Sequence, residues 1–103
     1  MTPKQLSIAQ DILHTVPEGL SPLWDSVEVQ GEAIPLLHSK RTAGQLEEWL
    51  ELACGENTVW GAGESGGDFW CELWTNSQTQ EWSGQSLGEV LAQALLELWS
   101  RLS

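Results

Sequence analysis

The chain has 103 residues, and fifteen Asp and Glu against four Lys and Arg give it a formal net charge of −11 at pH 7. This length is enough for one domain with a modest core that needs no metal or disulfide. The interval between Arg41 and Arg101 holds ten carboxylates and no basic residue. Because such a chain cannot neutralise phosphates, direct binding to nucleic acid or to an anionic membrane is disfavoured, and a basic protein partner is favoured.

The N-terminus lacks a basic segment followed by an apolar one, and no apolar run approaches the ~20 residues that cross a bilayer. The sequence therefore predicts a cytoplasmic protein. Cys54 and Cys71 fit no ligand spacing, and in a reducing compartment they are best interpreted as buried thiols rather than as a disulfide or redox pair. No cofactor is expected.

The first predicted element is a helix that begins at residues 2–5. Thr2 suits the N-cap, Pro3 suits the first helical position, and Gln5 completes a capping box. Pro17 ends the helix because it disfavours helical geometry at the preceding residue. His14, near that end, is expected to cap it. The apolar stripe at helical spacing consists of Leu6, Ala9, Leu13 and Val16, widened by Ile8 and Ile12.

The segment from Pro17 to Arg41 contains two short extended pieces. Val27-Glu28-Val29 alternates like a strand, and Gly31-Glu32 predicts a turn into a second piece from Ala33 to Leu37. Pro35 restricts that second piece to an edge strand or an extended loop. The segment is expected to fold over the core as a flap, through Leu23, Trp24, Ile34, Leu36 and Leu37.

Two more helices enclose a run of strands. Thr42-Ala43-Gly44-Gln45 is a second capping box and predicts a helix to about Cys54, with Gly55 after it. Ser86-Leu87-Gly88-Glu89 is a third, and its helix has an apolar stripe to the end of the chain. From Asn57 to Gly84, β-branched and aromatic runs broken by Gly and Asn-Ser clusters predict two or three antiparallel strands.

This order predicts the fold class α+β, with a short antiparallel sheet of two to four strands packed with three helices in a single domain, residues 1–103. Residues 1–41 would form the N-terminal helix and the flap. Residues 42–103 would form a helix–strands–helix core.

The glycine-rich segment Gly61-Ala62-Gly63-Glu64-Ser65-Gly66 formally matches G-x-G-x-x-G. A dinucleotide site needs a helix after the glycines, so that the helix N-terminus meets the pyrophosphate. Here a predicted strand follows, and the acids Glu64 and Asp68 would repel phosphate. We therefore interpret the glycines as a hairpin turn.

The strand from Asp68 to Trp74 has two different faces. Phe69, Cys71 and Leu73 point to one side and are an ordinary core face. The other side carries Asp68, Trp70, Glu72 and Trp74. It mixes indoles with acids, so it is either covered by another element or partly exposed. Indoles rimmed by charge are typical of protein-binding hot spots, whereas sugar stacking is disfavoured in a cytoplasmic chain.

Acidic residues also line the second predicted helix. Glu47, Glu48 and Glu51 form an outward face, on which Glu47 and Glu51 are a like-charge pair one turn apart. Such a run is either a solvated face or part of an acidic docking surface. The predicted partner-binding residues are Glu47, Glu48, Glu51, Glu64, Asp68, Trp70, Glu72 and Trp74.

No catalytic signature occurs in the sequence. His14 and His38 have no Cys, His or carboxylate at ligand spacing, so no metal site is predicted. Burial between its neighbouring tryptophans would raise the pKa of Glu72, but acid–base catalysis needs a second acid at a defined distance. The chain is therefore predicted not to be an enzyme.

From Arg41 to Leu102 the layout resembles the small phage proteins with an ABA-sandwich domain. The shared features are a Trp-bearing helix (Leu46-Glu47-Glu48-Trp49-Leu50), short strands ending in Gly, and a closing helix that begins Ser-Leu-Gly-Glu-Val-Leu-Ala. The Pro-rich stretch of that family corresponds here only to Ile34-Pro35-Leu36. The resemblance implies a phage or mobile-element origin and assigns no catalytic residues.

These features lead to the hypothesis of a non-enzymatic acidic protein that binds and blocks a basic partner. The partner would be a nuclease, a host-defence complex or a toxin, and the protein an anti-CRISPR inhibitor, a DNA mimic or an immunity protein. The alternative is a structural or assembly protein, for instance a homodimer, that buries its Trp-rich face. An enzyme with a pocket at Glu72 or a histidine is the third hypothesis.

Overall fold

The computed structural model describes residues 2–102, which form three α-helices and two antiparallel β-sheets. In chain order the elements are α1 (Pro3–Thr15), β1 (Ser26–Val29), β2 (Glu32–Pro35), α2 (Lys40–Cys54), β3 (Val59–Ser65), β4 (Asp68–Trp74), β5 (Thr79–Gly84) and α3 (Leu87–Leu102). The predicted α+β class is confirmed, with one sheet of two strands and one of three.

The three-stranded sheet has the order β3-β4-β5. The turn between β3 and β4 is Gly66-Gly67, flanked by the paired residues Ser65 and Asp68. The two glycines have φ angles of +62° and +90°, which a two-residue hairpin turn of this kind requires and which other residues rarely adopt. A turn does follow the glycine cluster, but the interpretation of residues 61–66 as that turn was wrong for most of the segment, because residues 61–65 lie within β3 and the turn consists of Gly66 and Gly67.

The predicted flap forms a second hairpin, β1-β2, whose strands pair from Ser26 opposite Pro35 to Val29 opposite Glu32. Ile34 and Leu37 are fully buried in the core. Leu23 was expected to cover the core, and this was wrong, because its side chain is 63% exposed. Its backbone N–H donates instead to Gln45 Oε1 at 2.9 Å, which attaches the flap to α2.

Helix α1 begins as predicted. The Thr2 hydroxyl accepts a hydrogen bond from the Gln5 N–H at 3.2 Å, and the Gln5 side chain accepts one from the Thr2 N–H at 3.0 Å. His14 was expected to cap the helix end, but its ring contacts the Glu32 carboxylate of β2. The side chain therefore joins α1 to the hairpin.

The buried face of α1 is rotated from the predicted stripe. Ile8, Ala9 and Ile12 are buried, whereas Leu6 and Leu13 are only half-buried. The rotation follows from the neighbours of α1, since the helix packs against both α3 and β2.

Helix α2 begins three residues earlier than predicted. Its N-cap is Ser39, whose hydroxyl accepts from the N–H groups of Arg41 and Thr42 at 3.2 and 3.4 Å. Thr42 is buried inside the first turn and donates its hydroxyl to the Asp25 carbonyl at 3.2 Å. The capping box at Thr42 was therefore a wrong prediction. The boundary drawn between residues 41 and 42 falls inside this helix.

Helix α3 organises the core, because it packs against α1, α2 and all three strands of the larger sheet. Its buried apolar residues are Val90, Leu91, Ala92, Ala94, Leu95, Leu98 and Trp99, and Glu89 in its first turn is buried as well. The shortest extent of the molecule is 20 Å, which is the thickness of one helical layer on one sheet. At the start of α3, the Ser86 hydroxyl accepts from the Glu89 N–H at 3.2 Å, as predicted for its N-cap.

Candidate functional site

The three-stranded sheet has one face on the core and one face without a helix. Phe69, Cys71 and Leu73 of β4 belong to the core or pack against it, as predicted. The register places eleven residues of the three strands on the other face, and none of them is in the core cluster or packed against it. We call this the outer sheet face, and it consists of Val59, Gly61, Gly63, Ser65, Asp68, Trp70, Glu72, Trp74, Thr79, Glu81 and Ser83.

Two indoles of the outer sheet face lie on glycines of the neighbouring strand. Trp70 pairs with Gly63, and a Cβ built on Gly63 would be 2.9 Å from Cζ2 of the Trp70 ring. A Cβ on Gly61 would be 3.1 Å from Cη2 of Trp74. Both rings therefore occupy the space that side chains on β3 would fill. Trp70 is half-buried. Trp74 is 37% exposed.

Two carboxylates face each other between these indoles. Glu72 lies between the two tryptophans along β4 and is directly paired with Glu81 of β5. The pKa of Glu72 is raised, first because its carboxyl shares a hydrogen bond with Glu81, then by burial and by the negative charge of Glu81. A like-charge pair directly across two strands is unfavourable, so this pair favours either a shared proton or a cation.

A cavity of about 350 Å³ opens beside this pair. Its lining includes the carboxylates of Asp68, Glu72 and Glu81, the indole of Trp70 and the hydroxyl of Ser83. These groups supply several acceptors and an indole, and Phe69 is a second aromatic residue of the lining. Carboxylates and the π-face of an indole both attract ammonium and guanidinium groups, so the arrangement suits a cationic ligand group.

The basic residues of the chain lie away from the outer sheet face. Lys4 is on α1, Lys40 and Arg41 begin α2, and Arg101 is on α3. Arg101 contacts the Gln80 side chain and Glu97 Oε1, the latter at 3.2 Å. No strand contains a Lys or Arg, so the three acids of the outer sheet face have no basic neighbour in their own sheet.

The other predicted partner-binding residues lie outside this face. Glu64 pairs with Phe69, so it points to the α3 side of the sheet near the hairpin turn. Glu47 and Glu48 are on α2, the first half-buried and the second exposed. Glu51 accepts a hydrogen bond from the Trp60 indole N–H at 2.8 Å, and this bond ties α2 to β3. The structure thus groups Asp68, Trp70, Glu72 and Trp74 and separates them from these acids.

Glu81 belongs to the candidate site but was not among the predicted residues. The alternation of β5 places Thr79, Glu81 and Ser83 on one side, but only the register shows that Glu81 opposes Glu72. Gly61 and Gly63 were missed for a related reason. They were interpreted as part of a turn. In the structure they lie in β3, and because they have no side chains the rings of Trp70 and Trp74 can pack against that strand.

The two cysteines are free buried thiols, as predicted. Burial raises the pKa of Cys54 to about 11 and that of Cys71 to about 12. Within residues 2–102, no three His, Cys, Asp or Glu side chains come together as metal ligands could. Over the same residues, no helix combines the length and the apolar character that crossing a membrane requires.

Comparisons with protein-family models, with curated proteins and with solved structures gave no match to this chain.

Proposed function

We propose that the protein is a non-enzymatic binding protein whose outer sheet face docks on a basic protein partner. The observation that carries the proposal is the position of two indoles, the half-buried Trp70 and the exposed Trp74, around the opposed carboxylates of Glu72 and Glu81, on a face without a basic residue. Aromatic anchors surrounded by charge are common in binding hot spots, and a uniform sign of charge accelerates association with an oppositely charged partner.

The chemistry of the site favours a Lys or Arg side chain as the group that enters it. An arginine could stack on the indole of Trp70 or Trp74 and donate hydrogen bonds to the carboxylates beside it. Its charge would also relieve the repulsion between Glu72 and Glu81. A phosphate or another anion has no cationic side chain to bind on this face.

We further propose that docking blocks the partner, because a basic groove covered by this face cannot hold its own anionic ligand. Nucleases, host-defence complexes and toxins are partners of this class, and the resemblance of residues 41–102 to phage proteins supports an inhibitor of the anti-CRISPR, DNA-mimic or immunity-protein type. The charge of −11 supports the same role. The protein would act in the cytoplasm.

The proposal can be tested with a panel of purified basic proteins that includes nucleases and DNA-binding proteins. Affinity and nuclease inhibition would be measured at about 50 and 200 mM salt, since charge-dependent binding weakens as salt rises. We expect the triple variant Glu72→Gln, Glu81→Gln, Trp74→Ala to bind at least about tenfold more weakly. The control is Glu28→Gln with Glu56→Gln, which removes two exposed acids outside the outer sheet face and should change affinity less than about twofold.

Three outcomes would contradict this function. They are the absence of binding to every panel member, binding that is insensitive to salt, and an equal loss in the control that lacks Glu28 and Glu56. Sedimentation of the free protein tests the alternative of a homo-oligomer, for which the exposed side chains of Val59 and Trp74 supply apolar area. A dimer that Trp74→Ala dissociates would favour that alternative.

A further inference from the structure

A second concave surface lies among the helices. It is a groove of about 860 Å³ to which all three helices and the segment after α1 contribute. Leu96 and Trp99 of α3, Trp49 and Ala53 of α2 and Leu20 of the connecting segment give it a mainly apolar lining. No residue of the five strands lines it, so it is a surface separate from the outer sheet face.

The groove is bordered by an exposed leucine. Leu52 of α2 lines it and is 68% exposed, the largest exposure among the large apolar side chains described in residues 2–101. Two other lining residues, Trp49 and Trp99, have rings 6.0 Å apart and are nearly buried, at 4% and 8% exposure. A rigid aromatic floor beside an exposed leucine is the shape that receives apolar anchors from a partner.

The charge around the groove is negative. Asp11 lines it, Glu18 follows the lining residue Pro17, and Glu48 lies one helical turn before Leu52. The nearest basic residue in sequence is Arg101, beside the lining residue Ser100, and its guanidinium is directed to Gln80 of β5 and to Glu97. An apolar floor with an acidic border complements a segment that is apolar on one side and basic on the other.

We propose that this groove binds an amphipathic segment of a partner protein, with apolar side chains against Leu52, Trp49 and Trp99 and basic residues facing Asp11 and Glu48. A second copy of this chain fits less well, because two chains of charge −11 repel each other. The groove is about as large as sites that enclose drug-sized ligands, which is enough for two or three anchor side chains.

The test uses a fluorescent amphipathic peptide of Leu and Lys and its counterpart with Glu in place of Lys. Both are titrated against protein carrying Glu72→Gln and Glu81→Gln, so that the outer sheet face contributes little to binding. In that background we expect Leu52→Gln to weaken binding of the Lys peptide at least about tenfold. The matched control is Leu23→Gln, an exposed leucine outside the groove, which should change affinity less than about twofold.

The indole N–H signals locate the bound peptide by NMR. We expect the signals of Trp49 and Trp99 to shift and those of Trp70 and Trp74 to stay in place. Equal binding of the Glu peptide, equal losses in Leu23→Gln and Leu52→Gln, or shifts confined to the sheet indoles would overturn the proposal. So would the absence of binding at about 1 mM peptide, or a dimer of the free protein that Leu52→Gln dissociates. None of these results depends on whether the outer sheet face binds its own partner.

Discussion

The Trp70 ring lies across Gly63, and a Cβ on that glycine would be within 2.9–3.3 Å of Cζ2, Cε2 and Nε1 of the indole. The Trp70 ring of β4 can therefore lie against β3 only because Gly63 has no side chain. The same relationship holds between Gly61 and Trp74. The glycines of β3 thus belong to the candidate site as much as the indoles do.

We expect Gly63→Ala to displace the Trp70 ring while the fold is retained. The atoms in conflict are at the far end of a side chain, so the ring can move away without a backbone shift. Partner binding at the outer sheet face should weaken, and the Trp70 indole N–H signal should shift in an NMR spectrum. Ser65→Ala, on the same face and strand, is the control. An unmoved Trp70 signal in Gly63→Ala would contradict the geometry.

The carboxyl pair of the outer sheet face predicts a pH dependence. The pKa of Glu72 is raised by Glu81, so the folded state binds a proton more tightly than the unfolded state does. The stabilisation from this proton is fully present below the unfolded pKa and is lost as pH rises through the folded pKa. Glu72→Gln should therefore stabilise the protein at neutral pH, and this gain should disappear as pH falls through the titration of Glu72.

Denaturant unfolding across that pH range measures this effect. In Glu81→Gln the pKa of Glu72 should fall, because the amide can donate a hydrogen bond to the carboxylate and carries no charge. A ¹³C NMR titration of the Glu side chains reports the pKa directly. An unchanged Glu72 titration in Glu81→Gln would show that the pair does not interact as the register indicates.

Substitution by alanine should have opposite effects on the free energy of unfolding at two glycines within helices. Gly88 in α3 faces the Leu37 carbonyl, and a Cβ there would be 2.0 Å from that oxygen, whereas Gly44 in α2 has nothing within 4 Å. Gly44→Ala should raise the free energy of unfolding by about 0.5–1 kcal/mol through helix propensity. Gly88→Ala should lower it by about 1–3 kcal/mol, because the backbone of residue 37 must move.

Chemical denaturation of Gly44→Ala and Gly88→Ala measures both changes in the free energy of unfolding. The two substitutions are identical in chemistry and both lie within helices, so each serves as the control for the other. Stabilisation by Gly88→Ala would show that the segment at Leu37 does not pack on α3 as closely as the structure has it.

The two thiols should be almost inert in the folded protein. With pKa values of about 11 and 12, Cys54 and Cys71 have at least about a hundredfold less thiolate near neutral pH than a free cysteine with a pKa of about 8.5. Alkylation followed by mass spectrometry should therefore be slow in buffer and fast in concentrated urea. Rapid labelling of the folded protein would contradict the burial of both residues.

Several elements could be predicted from local signals alone. The capping box of Thr2 and Gln5 depends on neighbours within three residues, so sequence spacing was sufficient. The glycines predicted a turn before β4, but its position at Gly66-Gly67 follows from the pairing of β3 with β4. The predicted start of α2 was wrong because it depends on a contact with a residue that is distant in sequence. Threonine is a favourable N-cap residue, but the Thr42 hydroxyl donates its hydrogen bond to the carbonyl of Asp25, which lies 17 residues earlier in the chain.

What the sequence by itself determined is the α+β class, the inward face of β4 and the acidic character of the chain, because these follow from composition and from the alternation of neighbouring residues. Only the tertiary structure decided which acids and indoles belong together. It joined Glu81 to Glu72, placed Trp70 and Trp74 on glycines of β3, and directed Glu51 to Trp60. Strand register and helix orientation are set by long-range packing, and alternation within one strand does not specify its partner.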